Sequence, residues 1–212
     1  MGQTDILIQR YPCLTVCKKD ILTAYQLLEK CFSEGNTLYI AGNGGSRADA
    51  EHIVGELMKS FKMKRPCGND FARRLRETDP ECGAVLADKL QKGLPAVVLG
   101  NESTLNTAFL NDVDRGGELL YAQHLFGYGK KGGVFLGIST SGNAKNVIYA
   151  AIVARAMGMK VIALTGKNGG GLARFADVAI KVPEEETYMI QELHLPVYHC
   201  LCLMLEEHFF SD

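Results

Sequence analysis

Short apolar runs alternate with segments of helical periodicity along most of the chain. Five runs of mainly apolar residues predict strands at residues 37–41, 95–100, 133–138, 160–165 and 178–182. Apolar positions three and four residues apart predict helices at 12–34 and 144–157, with a last helix at about 185–208. Continuous apolar strands between helices are typical of a parallel sheet that is covered on both faces. The pattern therefore predicts an α/β fold with three layers, α/β/α, around a five-stranded parallel sheet.

The segment 61–94 interrupts this alternation. It holds eight Lys or Arg residues against five acidic ones and shows no strand pattern, although residues 84–90 are compatible with a helix. One interpretation is a solvated surface insertion of helix and loop. The other is a basic flap near an anionic substrate, or a surface that binds a partner. The sequence leaves both interpretations open.

Composition and charge exclude several classes of protein. The hydrophobic fraction of 47% and the charged fraction of 22% are typical of a globular chain, and 212 residues suit a single domain over 1–212. No apolar run approaches the roughly 18–20 residues of a membrane span, and no signal peptide is evident. The net charge of −1 gives no reason to expect nucleic acid or an anionic membrane as a partner.

The seven cysteines bear on the cellular compartment. None belongs to a CxxC pair, so zinc ribbons and thioredoxin-like redox motifs are unsupported. An odd count in a chain of this length also argues against a secreted disulfide scaffold. We therefore expect reduced thiols, packed mostly as small apolar groups, in a cytoplasmic protein.

Two polar loops follow predicted strands, and parallel sheets bind ligands beyond the carboxyl ends of their strands. The serine loop (residues 139–143) holds three hydroxyls before a helix, where free amides and the helix dipole favour an anion such as a phosphate monoester. It lacks the Lys-Ser/Thr of a Walker A loop. The glycine loop (residues 42–46) lacks the G-x-G-x-x-G spacing of dinucleotide-binding folds. Ser46 is expected to cap the following helix, with Asp49 three residues on.

Two predicted helices carry residues suited to acid–base or metal chemistry. His52 and Glu56 are four residues apart on one helix face, a spacing compatible with half of a zinc site, an acid–base pair or a plain surface pair. The last helix carries Gln191 and His199 on broadly one side. Spacing alone does not distinguish a functional from a structural role for either cluster.

Five motifs together carry a family resemblance. In chain order they are AGNGGSRADAEHIVGEL at 41–57, Asn-Asp at 111–112, GISTSGN at 137–143, VIALTGKNGG at 161–170 and Q-E-x-H-x-x-x-x-H at 191–199. The chain resembles the phosphoheptose isomerase branch of the SIS (sugar isomerase) family from about residue 12 to 209, except for segment 61–94. The resemblance implies the interconversion of sedoheptulose 7-phosphate and D-glycero-D-manno-heptose 7-phosphate. It also implies a homotetramer with active sites at subunit interfaces.

The resemblance assigns roles to residues position by position. The implied zinc ligands are His52, Glu56, Gln191 and His199. Glu56 and His199 also match the acid–base pair, and both Glu56 and Gln191 are expected to face the substrate. The implied sugar-binding residues of the glycine loop are Asn43, Gly44, Gly45 and Ser46. Asn111 and Asp112 match a second substrate loop, and the implied phosphate contacts are Ser139, Thr140 and Ser141. His194 matches no role and is expected to be structural.

These residue types suit aldose–ketose isomerisation. A carboxylate and an imidazole can move a proton between two neighbouring carbons through an enediol, and a divalent ion can stabilise the enediolate. Two alternatives remain. One is a SIS module that binds a sugar phosphate or a partner protein without catalysis. The other is an isomerase for a different phosphosugar, because Ala144 replaces the family's usual serine and Tyr188 its usual acidic residue.

Overall fold

A computed structural model describes residues 2–211 of the chain, and its centre is a single parallel sheet. The strands are β1 (Leu38–Gly42), β2 (Ala96–Val98), β3 (Val134–Ser139), β4 (Lys160–Thr165) and β5 (Val178–Lys181). Their order across the sheet is β2-β1-β3-β4-β5, and every neighbouring pair is parallel. The five predicted strands are confirmed, each with bounds within two residues of the prediction.

Helices cover both faces of this sheet. They are α1 (Gln3–Arg10), α2 (Lys18–Ser33), α3 (Gly45–Met58), α4 (Asn69–Thr78), α5 (Pro80–Lys89), α6 (Ser103–Asp112), α7 (Gly116–Tyr128), α8 (Lys145–Ala156) and α9 (Thr187–Phe210). One core lies between the sheet and α2, α3 and α9, and a second lies between the sheet and helices α7 and α8. The three-layer α/β/α prediction is therefore confirmed.

The strands are apolar throughout because both of their faces are buried. All residues of β1 and β3 are buried, and neighbouring side chains enter opposite cores. Ile40 and Leu136 belong to the core under α2, α3 and α9, whereas Tyr39 and Phe135 belong to the core under α7 and α8. A strand with one solvated face would alternate in polarity instead.

The predicted helix at 12–34 is wrong at its beginning. Residues Pro12–Cys17 form a 3-10 helix, and α2 begins only at Lys18. Leu14 and Cys17 are both buried, and residues three apart lie above each other in a 3-10 helix, so the i, i+3 spacing fits this tighter form. Helix α1, which precedes it, was not predicted.

Segment 61–94 also differs from its prediction. It forms the two helices α4 and α5 instead of one short helix at 84–90, and Pro66 pairs with Gln91 in an isolated antiparallel bridge. Asp79 caps α5 by accepting a hydrogen bond from the Cys82 amide at 2.7 Å. No residue of α4 is buried, which agrees with a solvated surface insertion.

The cysteines and the helix lengths bear on two further expectations. All seven cysteines are free, and burial raises the pKa of Cys31 to about 11, so that thiol stays protonated. Within residues 2–211, no helix combines the length and the apolar character needed to cross a membrane.

Candidate functional site

The two polar loops meet at the carboxyl edge of the sheet. Strands β1 and β3 are neighbours, and Gly42 at the end of β1 pairs with Ile138 in β3. From β1 the chain crosses to β2 on one side, whereas β3, β4 and β5 follow one another on the other side of β1. A topological switch point of this kind opens a crevice between the two loops, which is the usual ligand site of such sheets.

The glycine loop turns sharply into α3. Gly44 precedes the helix with a φ of +53°, a left-handed conformation that favours glycine. A Cβ at Gly42 would come within 2.6 Å of the Ser46 carbonyl oxygen, so the turn also requires glycine there. The prediction that Ser46 caps the helix is wrong. Gly44 occupies the cap position, and Ser46 is buried in the first turn because the chain enters the helix earlier than expected.

Asn43 connects the two loops. Its side-chain amide exchanges two hydrogen bonds of 3.0 Å with the amide of Asn146 on α8. The Tyr121 hydroxyl donates to the Gly42 carbonyl at 2.7 Å and lies 3.1 Å from Asn43 Oδ1. Asn43, predicted as a sugar contact, thus fixes the shape of the crevice through contacts within the chain.

The serine loop leads into a helix without a side-chain cap. Ala144 occupies the cap position of α8, where it offers no capping side chain, and in the first turn the Val147 amide donates to Asn146 Oδ1 at 3.0 Å. The Ser141 hydroxyl accepts a hydrogen bond from the Asn143 amide at 3.2 Å. Ser139 is buried at the end of β3, Thr140 is half-buried and Ser141 is exposed. The loop therefore combines hydroxyls with free amides at the positive end of a helix, an arrangement that suits an anion.

The expected second substrate loop is helical. Asn111 and Asp112 are the last two residues of α6, where the Asn111 amide donates to Asp112 Oδ1 at 2.9 Å. Both side chains are exposed, and within residues 2–211 no hydrogen bond joins them to the glycine or serine loop. The expectation of a loop is wrong because α6 continues through these two residues, and their contact with a substrate stays a prediction.

A second group of predicted site residues meets where α3 packs against α9. His52 Nε2 lies 3.2 Å from Glu56 Oε1 and 3.4 Å from His199 Nε2. The side chain of Glu56 is 15% exposed and that of His52 is 41% exposed, so the group opens to solvent on one side. Burial lowers the pKa of His199, His52 lowers it further and Glu56 opposes this shift. His199 is therefore mainly neutral at neutral pH and able to exchange a proton.

Gln191 lies apart from this group. Its amide packs against Gly45 at the start of α3, where an added Cβ would be 2.5 Å from Gln191 Nε2. His199 is eight residues further along α9, which corresponds to about 12 Å of helix. The four predicted metal ligands therefore do not meet as one set.

The donor atoms around His52 lie at spacings that can be compared with those of zinc ligands. Two ligands of a tetrahedral zinc ion with bonds of about 2.0–2.1 Å lie about 3.3 Å apart. The contacts of His52 Nε2 with Glu56 and His199, at 3.2 and 3.4 Å, match that spacing. Imidazole and carboxylate are also ordinary zinc ligands. Within residues 2–211, however, no group of three or more His, Cys, Asp or Glu side chains is arranged to hold a metal ion. The donors and their pairwise spacings thus fit zinc, while the complete ligand set is not assembled.

A buried ion pair connects the two helices and was missed by sequence analysis. Arg65 donates to Glu206 Oε1 on α9 at 2.8 Å and to the carbonyls of Leu57 and Glu56 at the end of α3 at 2.8 and 3.1 Å. Both charged side chains are almost fully buried. Burial opposes ionisation of Glu206, yet hydrogen bonds from backbone amides and from Arg65 lower its pKa. Arg65 thereby holds the end of the helix that carries Glu56 against the helix that carries His199.

His194, expected to be structural, is fully buried on α9. Burial lowers its pKa to about 4, and the nearby Thr165 backbone offsets part of this shift. The imidazole is therefore neutral at neutral pH, and it lies inside the core away from the solvent-facing group around His52.

Known proteins were compared with this fold and site. The family model described as SIS domain matches residues 75–166. The phosphoheptose isomerase of Aneurinibacillus thermoaerophilus is 37% identical over 181 residues, which are 85% of this chain and 77% of the relative. The structure of phosphoheptose isomerase GmhA from Neisseria gonorrhoeae superposes with a TM-score of 0.73 at 28% identity, over 96% of this chain and 93% of that one. A phosphoheptose isomerase from Francisella tularensis gives a TM-score of 0.72 at 26% identity, over 98% and 100% of the two chains.

The fold, the two polar loops and the similarity to known proteins all agree with a SIS domain. The chain belongs to the phosphoheptose isomerase branch of the SIS family. The expected family and the expected class of enzyme, an isomerase, are confirmed.

Proposed function

We propose that the protein interconverts sedoheptulose 7-phosphate and D-glycero-D-manno-heptose 7-phosphate through an enediol. The observation that carries this proposal is the meeting of Glu56 and His199, from two separate helices, at His52 Nε2. A carboxylate beside a neutral imidazole suits proton transfer between neighbouring carbons. The relatives named phosphoheptose isomerase support the substrate class, a phosphosugar.

In the proposed reaction, Glu56 removes the proton from C1 of the ketose. The C–H electron pair forms the C1–C2 double bond, and the C2 carbonyl oxygen takes a proton from His199. The enediol then loses its C1 hydroxyl proton to His199 while Glu56 returns a proton to C2, so the aldose forms and both groups regain their starting states. Each group is expected to contribute about 10²–10⁴-fold to the rate.

A zinc ion is part of the proposal. His52, Glu56 and His199 would hold it. Gln191, the fourth ligand expected from the resemblance, packs against Gly45 about 12 Å along α9 from His199 and would not reach the ion within one copy of the chain. Bound there, zinc would polarise the oxygens on C1 and C2 and so stabilise the enediolate. Removal of the ion with a chelator is expected to lower turnover, and added zinc to restore it.

The phosphate is proposed to bind at the serine loop, with Ser139, Thr140 and Ser141 around it. Remote binding of this kind orients the reacting end of the substrate. Asn43, Gly44 and Gly45 of the neighbouring glycine loop, which are exposed, would contact the sugar, whereas Ser46, expected from the resemblance to do so, is buried. In this arrangement the phosphate binds mainly to backbone amides and hydroxyls, and no metal is needed at that end.

We further propose that the working form is a cytoplasmic homotetramer in which each site is completed by a second copy of the chain. Glu56 lies eleven residues after Gly45, about 16 Å along α3 and away from the carboxyl edge of the sheet. An extended seven-carbon sugar phosphate is shorter than this span. If the serine loop of one copy faced Glu56 and His199 of another copy, the distance between them could match the length of the substrate. Exposed apolar residues on α6 and α7, including Leu110 and Phe126, support self-association.

The test is a panel of five-, six- and seven-carbon ketose phosphates, incubated with zinc-loaded protein and followed by NMR. Conversion of sedoheptulose 7-phosphate alone is the expected result. Conversion of a different sugar would support the proposed isomerisation and contradict the proposed substrate. No conversion of any sugar by the folded, zinc-loaded protein would contradict the proposed function and favour a SIS module that only binds its ligand.

The shared site has its own test. Glu56→Gln and Thr140→Asp, each expected to be inactive alone, are mixed after reversible dissociation. Hybrid assemblies regain some activity if one copy supplies the serine loop and another supplies Glu56. No recovery in verified hybrids would contradict the shared site.

A further inference from the structure

Two side chains with no assigned role, the buried Tyr198 and the half-buried Asp49, lie directly behind His52. The hydroxyl of Tyr198, on α9, lies 3.2 Å from Asp49 Oδ1 and 3.0 Å from His52 Nδ1. Tyr198 is only 2% exposed and lies between α3 and α9. Asp49 and His52 are three residues apart on α3 and therefore point to the same side of that helix. The three side chains form a polar chain that ends at His52.

The available protons determine the direction of this chain. A phenol carries one proton, and an ionised carboxylate only accepts. If Tyr198 donates to Asp49, its oxygen is left to accept a hydrogen bond from His52, so His52 carries its proton on Nδ1. A neutral imidazole has only one N–H, and its Nε2 therefore presents a lone pair. That lone pair can accept a proton from His199 Nε2, 3.4 Å away. It also lies 3.2 Å from Glu56 Oε1, which is itself an acceptor, so this contact needs a proton or a cation between the two atoms.

The reverse direction would leave Asp49 without a donor. Its second oxygen, Oδ2, is buried and has no hydrogen-bond partner among the described residues. Burial raises the pKa of Asp49, and the hydrogen bond from Tyr198 opposes that rise. If Tyr198 turned its proton toward His52, the carboxylate would lose this donor, and an unsatisfied buried carboxylate is costly. The reverse direction would instead let His52 Nε2–H donate to Glu56 Oε1. The group around Glu56 opens to solvent, where water can satisfy that carboxylate, whereas Asp49 would lose a donor beside an oxygen that is already unsatisfied, so the forward direction is favoured.

We propose that Tyr198, anchored by Asp49, is a positioning residue that holds His52 in its Nδ1–H form and points the Nε2 lone pair into the site. This inference deepens the proposed function, because a lone pair on Nε2 is what a divalent cation, or a proton donated by His199, requires. Hydrogen-bonding partners of this kind orient imidazole ligands in metal sites generally.

The test reads the tautomer directly and needs neither metal nor substrate. Long-range ¹H–¹⁵N NMR of the metal-free full chain, at a pH where His52 is neutral, reports which ring nitrogen carries the proton. His52→Gln identifies the signal. We expect the Nδ1–H form in the wild type and a shift toward the Nε2–H form in Tyr198→Phe, which keeps the aromatic ring and removes the hydroxyl.

Two further variants sharpen this experiment. Tyr39→Phe is the matched control, since it removes another buried hydroxyl, which donates to the Tyr128 carbonyl at 2.8 Å. The His52 spectrum should not change in this control. In Asp49→Asn the new amide can donate to Tyr198, which frees the phenol proton for His52, so the Nε2–H form should increase. If Tyr198→Phe does not fold, the His52 tautomer measured in the wild type and in Asp49→Asn still tests the inference.

A wild-type His52 in the Nε2–H form would overturn the inference, and so would an unchanged tautomer in folded Tyr198→Phe. Zinc titration with a competing chelator gives a second readout. Tyr198→Phe should bind zinc about 10–100-fold more weakly than the wild type, while Tyr39→Phe binds equally. Absence of zinc binding by the wild type would contradict the zinc part of the proposed function. It would not change the tautomer result, which is measured without metal.

Discussion

The crevice between the two loops and the group around His52 are built in different ways. The serine loop uses hydroxyls and the free amides of α8, held by backbone turns. The group around His52 uses long side chains on two rigid helices, held by the buried Arg65–Glu206 pair and the Asp49–Tyr198 contact. The proposed phosphate binding is therefore spread over many weak donors, whereas the proposed reactive groups depend on a few buried contacts. Single substitutions should affect the two regions very differently.

The largest effect on stability is expected from breaking the buried ion pair. Arg65→Met leaves Glu206 buried and uncompensated, which should lower the free energy of unfolding by about 3–5 kcal/mol. Urea titration followed by circular dichroism measures this loss. The matched control is Arg73→Met on α4, whose pair with Glu77 is exposed and should be worth about 0–1 kcal/mol.

A loss below 1 kcal/mol for Arg65→Met would contradict the role given to this pair. The double variant Arg65→Met with Glu206→Leu offers a second check, because apolar replacement of both partners can be neutral or stabilising. It should recover most of the stability lost in the single variant.

A smaller effect on stability is expected from His194 and depends on pH. Its pKa is about 4 in the folded protein and about 6.5 when unfolded, so the unfolded chain binds more protons between these values. Stability should therefore fall as the pH drops from 6.5 to 4, by about 3 kcal/mol in total. Unfolding of the wild type and His194→Leu at pH 7 and pH 4.5 measures the difference. An equal pH dependence in both proteins would contradict this assignment.

The smallest effect is expected in the serine loop. Ser141→Ala removes one hydroxyl among several donors, so KM should rise roughly 2–10-fold with kcat nearly unchanged. Ala144→Ser adds a hydroxyl at the uncapped start of α8 and should shift KM the other way. Steady-state kinetics on the substrate found in the panel measures both. A large loss of kcat in Ser141→Ala would show that this loop takes part in the chemical step.

The strands that sequence analysis predicted have buried faces, whereas α1 and α7 also bury residues and were missed. The five strands are continuous apolar runs because both sides of the sheet are covered. By contrast, α4 and α6 contain no buried residue, and their apolar positions, such as Phe71 and Leu75 on α4, are too few to identify a helix from the sequence. Local propensity alone is a weak signal for such exposed helices.

The candidate site was predicted only as far as its motifs reach. His52, Glu56 and His199 were found from their spacing and family resemblance, and the structure brings them together. Arg65 and Glu206 lie 141 residues apart, and Arg65 falls in the segment read as an insertion. Asp49 was expected to support a helix cap, whereas its contact with Tyr198 depends on how α3 and α9 pack. Contacts between helices that are distant in sequence leave no local pattern.

The proposed reaction depends above all on Glu56, which removes the proton from the sugar. The most direct measurement is NMR of deuterium incorporation at C1 and C2 of sedoheptulose 7-phosphate in D₂O, by zinc-loaded wild type, Glu56→Gln and the exposed control Glu192→Gln. We expect exchange by the wild type and the control, with a loss of about 10²–10⁴-fold in Glu56→Gln. Exchange at the wild-type rate in folded Glu56→Gln would contradict this role of Glu56.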